Sequence, residues 1–160
     1  MKTLLAITFV ISSFFVFAQS SINDIKVGEL PPEVKTILDK YVEILHSENL
    51  DVCAEKFIEI AGGTLVSPDG KSLRSSVKPY SLKKDFDNIH FYKNPANISR
   101  VNLSASSTQG FGESAISGKV YKIWIDKISE SEGIAAPISI LLPDASSLIK
   151  SPKIVNIGSL

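Results

Sequence analysis

The sequence predicts an α+β domain in which helices come first and a sheet follows. Two observations carry that reading. Apolar residues recur at helical spacing between about residues 33 and 61, and from Asn97 onward they alternate with period two. A third observation supports a single unit: glycine, proline and serine clusters break the chain only at short intervals, with no repeat or linker long enough to separate domains. The expected order is α-α-β-β-α-β-β-β-β.

Residues 19–30 read as a polar, loosely ordered segment ahead of a domain over 31–160. Pro31-Pro32-Glu33 opens the first helix, because proline is tolerated in a first turn and an acid suits the positive helix end. Val34, Ile37, Leu38, Tyr41 and Leu45 then form one stripe to about residue 46. Asn49 and Asp51 cap a second helix striped by Leu50, Cys53, Phe57, Ile58 and Ala61, and Gly62-Gly63 ends it. Thr64-Leu65-Val66 and Lys71-Ser72-Leu73 flank the turn signal Pro68-Asp69-Gly70, which predicts a hairpin. Ser81 is placed to cap a short third helix with Leu82, Phe86 and Ile89 on one face. Strands are expected near 98–107, 114–128, 134–142 and 152–159, broken at Gly110-Phe111-Gly112, Ser131-Glu132-Gly133 and Pro143-Asp144-Ala145.

The strands carry apolar residues on both faces. Tyr121, Ile123 and Ile125 alternate with Val120 and Trp124, and Ile138, Ile140 and Leu142 alternate with Pro137, Ser139 and Leu141. A sheet wetted on one side alternates cleanly between apolar and polar. Three helices cover one face, so a homodimer through the other, bearing Trp124 and Ile140, is expected.

Ahead of the domain, Lys2, the apolar run Leu4–Phe17 and Val16-Phe17-Ala18 have the anatomy of a cleaved export signal over residues 1–18. The run is shorter than the roughly 20 residues a spanning helix needs, so a secreted or periplasmic product without stable membrane insertion is expected. Cleavage leaves about 142 residues, a common size for one domain. The 17 basic residues balance 17 acidic ones, and loss of Lys2 leaves a near-neutral chain with no electrostatic reason to hold nucleic acid. Cys53 is the only cysteine, so no internal disulfide forms, and its place on an apolar stripe makes it a core residue. With two histidines, His46 and His90, far apart, no metal-ligand spacing exists and no cofactor is indicated.

Tyr41-Val42, Leu45, Leu50-Asp51, Phe57, Ala61, Pro68-x-Gly70 and Ala136-Pro137-Ile138 stand in an order that resembles the nuclear transport factor and SnoaL-like superfamily, and within it the ketosteroid isomerase-like proteins. The resemblance implies a cone-shaped, curved mixed sheet wrapped around helices and enclosing an apolar cavity. It further implies that Tyr41 matches a catalytic tyrosine, while Ser67 replaces the base and Ser139 the oxyanion acid. A serine without an adjacent base cannot remove a carbon-bound proton near neutral pH, so isomerase chemistry is not expected. Arg100 with Asp126, or His90 with Asp87, are the substitutes weighed for a small lyase, isomerase or hydrolase; a structural dimerisation or interaction module is the other alternative. The first reading is a small apolar ligand bound without catalysis by Leu38, Tyr41, Leu45, Phe57, Ser67, Phe86, Tyr121 and Ser139.

Cleavage after Ala18 should leave Gln19 as the first residue of a soluble exported product. Intact-mass measurement of the exported protein checks this; a membrane-bound chain retaining residues 1–18 would contradict it.

Overall fold

The computed structural model describes residues 23–129 and 133–160. The expected leader over 1–18 and part of the Ser131-Glu132-Gly133 break lie outside them. Among the described residues no helix is long and apolar enough to cross a membrane.

The first described residues form a strand within the stretch 19–30 that its polar composition marks as a loose lead-in, residues 19–22 lying outside the described part. β1 (Asn23–Ile25) pairs antiparallel with β2 (Ile98–Leu103), Ile25 lying opposite Val101. Ile25 is the only β1 residue packed against the core, which is why no apolar alternation marked this strand. A single helical turn over Val27–Glu29 leads to α1 (Pro32–Leu45). Its proline lies in the first turn beside Glu33, and Val34, Leu38, Tyr41, Val42, Ile44 and Leu45 are buried. The Asn49 side chain accepts from the Val52 amide at 3.0 Å and caps α2 (Leu50–Phe57), as its residue type predicts.

Beyond α2 the chain turns at Ile58–Ile60 and reaches across to β6 (Lys153–Asn156). Ala61 forms a parallel bridge with Ile154, and the Gly62 amide donates to the Ile154 carbonyl at 2.8 Å. The expected hairpin around Pro68-Asp69-Gly70 shrinks to one bridge, Val66 to Leu73, because Gly63–Leu65 coils into a helical turn. The turn itself forms, with Gly70 at a φ of +71° donating to the Ser67 carbonyl. Ser81 caps nothing. It lies within a π-helical turn, Val77–Leu82, that runs straight into α3 (Lys83–Asn88). Pro79 inside that turn has no N–H to donate, and the helix widens there.

The sheet is curved and antiparallel throughout, rather than mixed. β1, β2, β4 (Ile116–Ile125), β5 (Ala136–Pro143) and β6 follow one another across it, and β3 (Ser107–Gln109) extends the β2 edge along β4. The strand expected over 98–107 splits in two. Leu103 lies opposite Tyr121 and Ser107 opposite Gly118, so the chain carries one residue in excess and bulges at Ser104–Ser106.

Register sorts the two faces. Val101, Ile123, Ile138, Ile140 and Ile154 are fully buried and, with Tyr121, Ile125 and Ala136, turn toward the helices. Trp124 lies opposite Pro137 and Arg100, while Ile140 lies opposite Tyr121. Trp124 and Ile140 therefore occupy opposite faces, and Ile140 belongs to the core rather than to an outer interface. Part of the outer face is already covered: Ile116, Leu141 and Val155 are buried there, with Val120 and Ile149 packed on them.

Gly118 sits where β4 is flanked by both β3 and β5, and a Cβ there would lie 2.1 Å from the Leu142 carbonyl oxygen. Gly118→Ala should destabilise the fold by about 1–3 kcal/mol, the usual cost of overpacking. Urea unfolding measures it, and an unchanged midpoint would mean that the strands separate freely at this position.

Candidate functional site

Tyr41 faces inward from α1, and its hydroxyl donates to Asp85 Oδ2 at 2.8 Å. Both residues have no exposed surface. Asp85 comes from α3, one turn below Leu82 and one above Ile89, so it sits inside an otherwise apolar stripe. The same oxygen accepts from the Gly158 amide at 2.9 Å, and Oδ1 accepts from the Leu160 amide at 2.9 Å. Lys84 donates to the Gly158 carbonyl and Asn88 to the Leu160 carbonyl, so three side chains of one short helix hold segment 158–160. Gly158 is required there: its φ is +94°, and a Cβ would meet Ser81 at 2.9 Å.

Burial raises the Asp85 carboxyl above the ordinary aspartate range, opposed by the bonds from Gly158, Tyr41 and Leu160. Burial, together with the Asp85 charge, pushes the Tyr41 hydroxyl well above its usual value. Burial also lifts the Cys53 thiol to about 11, so this cysteine behaves as an inert core residue. Two titratable groups thus converge beneath the sheet, but each oxygen is occupied by a protein donor. The arrangement is a clasp between α1, α3 and the chain segment after β6.

The expected binding set does not share one space. Leu38, Tyr41, Leu45 and Phe57 are packed into the core, with the Tyr41 and Phe57 rings 5.3 Å apart. Tyr121 joins them from the inner sheet face, and Phe86 packs half-buried at its edge. Five surface depressions among the described residues, from 260 to 570 Å³, are lined by none of Leu38, Tyr41, Leu45 or Phe57. Ser67 is bound up in its own turn, donating to Asp69 and accepting from the Ser72 amide at 3.1 Å. Its hydroxyl lowers the Asp69 carboxyl below the usual range. Ser139 lies on the outer face, because its register partner is Lys122 rather than a core residue. The substitute acid–base pairs do not form either. Asp126 accepts from Asn97, Asp87 pairs with Lys83, and His90 stacks on Phe91. Among the described residues, no cluster of histidine, cysteine or carboxylate side chains could hold a metal.

The outer face holds a second locus that includes Ser139. Arg100, Asn102, Ser104, Val120, Lys122, Trp124 and Ser139 line a groove of about 260 Å³. The Arg100 guanidinium stacks 3.7 Å from the Trp124 ring centroid, and Lys122 Nζ lies 5.0 Å from it. Arg100 Nε donates to Asn102 Oδ1 at 3.0 Å, which fixes the guanidinium over the ring.

Asp85→Ala would leave two buried amides and the Tyr41 hydroxyl without acceptors, at about 1–3 kcal/mol each. Tyr41→Phe removes only one bond to the carboxyl and should cost about 1.5–3 kcal/mol. The folded Asp85 carboxyl binds its proton at a higher pH than in the unfolded chain. Its contribution to stability is therefore complete below about pH 3.9 and is lost as pH rises through the raised folded value. Wild type should gain stability relative to Asp85→Asn between roughly pH 7 and pH 4, read by urea unfolding at each pH. A relative loss over that range would mean that the hydrogen bonds outweigh burial.

No family model matches the chain, and no curated protein or solved structure matches it either.

Proposed function

We propose that this chain is a non-catalytic binding module on a cone-like scaffold of the nuclear transport factor and SnoaL-like kind, exported behind a cleaved leader, that recognises its partner through the outer sheet face. The commitment of Tyr41 to Asp85 carries the proposal. An interior site for an apolar ligand needs Tyr41 free to orient it, and an isomerase-like site needs a base within reach of substrate. Here the inward tyrosine is bonded to a carboxyl that also holds two backbone amides, and the side chains expected to line a cavity pack against one another. Ser67 and Ser139, the positions of the missing acids, are remote from that pair. The outer face retains what binding surfaces favour, a tryptophan and an arginine beside an open groove.

A second copy of the chain is a poor occupant of this part of the face. A two-fold interface sets each patch against itself, which would bring Arg100 and Lys122 toward their own counterparts.

The test is a calorimetric titration with a β,γ-unsaturated ketosteroid beside an isomerisation assay. Neither saturable binding nor turnover is expected. Binding that Leu38→Phe abolishes would restore the interior-ligand reading, and robust turnover would establish an enzyme.

A further inference from the structure

The geometry points to the outer groove as a carboxylate-binding site, and we propose that its occupant is an acidic segment of a protein partner. This rests on the reading of the outer face as the recognition surface and names the chemistry that face selects.

Four observations converge. First, a cross-strand row runs Asp24, Asn102, Lys122, Ser139, Asn156, and the neighbouring row sets Arg100 beside Trp124 and Pro137. Lys122 is thus flanked by an amide and a hydroxyl, with the guanidinium one row away. Second, neither cation has a carboxylate partner among the described residues; the ion pairs of the protein lie elsewhere. Arg100 spends only Nε on Asn102, so both terminal nitrogens and the Lys122 ammonium have donors to offer. Third, Ser139 lines the groove and sets a side-chain hydroxyl directly across the strand pair from Lys122. Fourth, Arg100 is fixed before anything binds, by the ring beneath it and the Asn102 oxygen beside it. A preset planar fork is suited to a carboxylate held by two parallel bonds.

Size selects the source. Pockets for whole small molecules run from about 300 to 1,000 Å³, and this groove is smaller and open. It has room for one acidic side chain seated between Arg100 and Lys122, with its stem on Trp124 and Val120, the rest of the segment lying across the sheet. Asp126, two residues beyond Trp124, is held by Asn97 at the strand end, and Asp24 shares this face two strands from Lys122. Strand spacing puts it about 10 Å away, near the Debye length at 0.1 M salt, so it tempers the site without neutralising it.

Trp124 is the only tryptophan in the chain, so its emission reports on this groove alone. The experiment titrates the purified protein with an acetylated, amidated hexaglutamate peptide, with the hexaglutamine peptide and inorganic phosphate as separate arms. A saturable change with hexaglutamate is expected, weakened at least tenfold by Arg100→Gln or Lys122→Gln and by 0.5 M NaCl. Arg100→Lys should lie between wild type and Arg100→Gln, and Asp24→Asn should tighten binding. Matched thermal midpoints verify that these surface variants fold. An equal response to hexaglutamine would overturn carboxylate selection while leaving the outer face as a binding surface. Phosphate acting as well as the peptide would overturn the acidic-segment assignment. No response to any arm, with Trp124 still quenched by iodide, would overturn the site itself. The interior-ligand titration is independent of all these results.

Discussion

The Asp85 carboxyl is the group on which the interior depends. A carboxyl without exposed surface is tolerated only where donors replace its water. Tyr41, Gly158 and Leu160 are those donors, the first from α1 and the other two from the segment after β6. Their convergence fixes the rotation of α1, the approach of α3 and the path of the segment after β6 at one point. The apolar residues around it supply the larger share of stability through area removed from water. They do not by themselves choose one relative placement of these elements, whereas a carboxyl that must find three donors does.

That choice has a functional corollary. A tyrosine tied to a buried acid and packed with Leu38, Leu45 and Phe57 makes the inner side of the sheet a core. The outer side of the sheet is built differently. There the Ile116, Leu141 and Val155 cluster closes one end, and the Arg100, Lys122 and Trp124 groove remains open. The two-sided apolar pattern of the strands thus has two separate origins, a core on one face and a small satellite cluster on the other.

How much of this was legible in the sequence follows from the range over which each signal acts. α1 and the start of α2 are legible because helical stripes and an asparagine cap are local, but α2 ends at Phe57 and not at Gly62-Gly63, because Ala61 is drawn into a bridge with Ile154. Asp85 was not singled out, since beside Lys83, Lys84 and Asp87 it resembles one more residue of a solvated helix face. Its amide partners lie more than seventy positions away and, being backbone, leave no mark on residue identity. Strand periodicity gave two sets of alternating residues in each of β4 and β5. Pairing those sets requires the register across the connection between the strands, which composition does not encode. Trp124 and Ile140 were therefore joined on one face although they lie on two, and Ser139 was placed inside although it points to the groove. β1 was missed because three residues with one inward side chain give no periodicity.

The spacing of the clasp also governs when the fold can close. Synthesis is vectorial, and Asp85 leaves the ribosome some seventy-five residues ahead of Leu160. Through that interval the carboxyl lacks the Gly158 and Leu160 donors, and β6, which bridges to Ala61, has not yet been made. Helices α1 and α2 have local contacts to form early, but the final packing waits on pairings across most of the chain length. The clasp around Asp85 therefore cannot close until residue 160 has emerged, however early α1 and α2 coil.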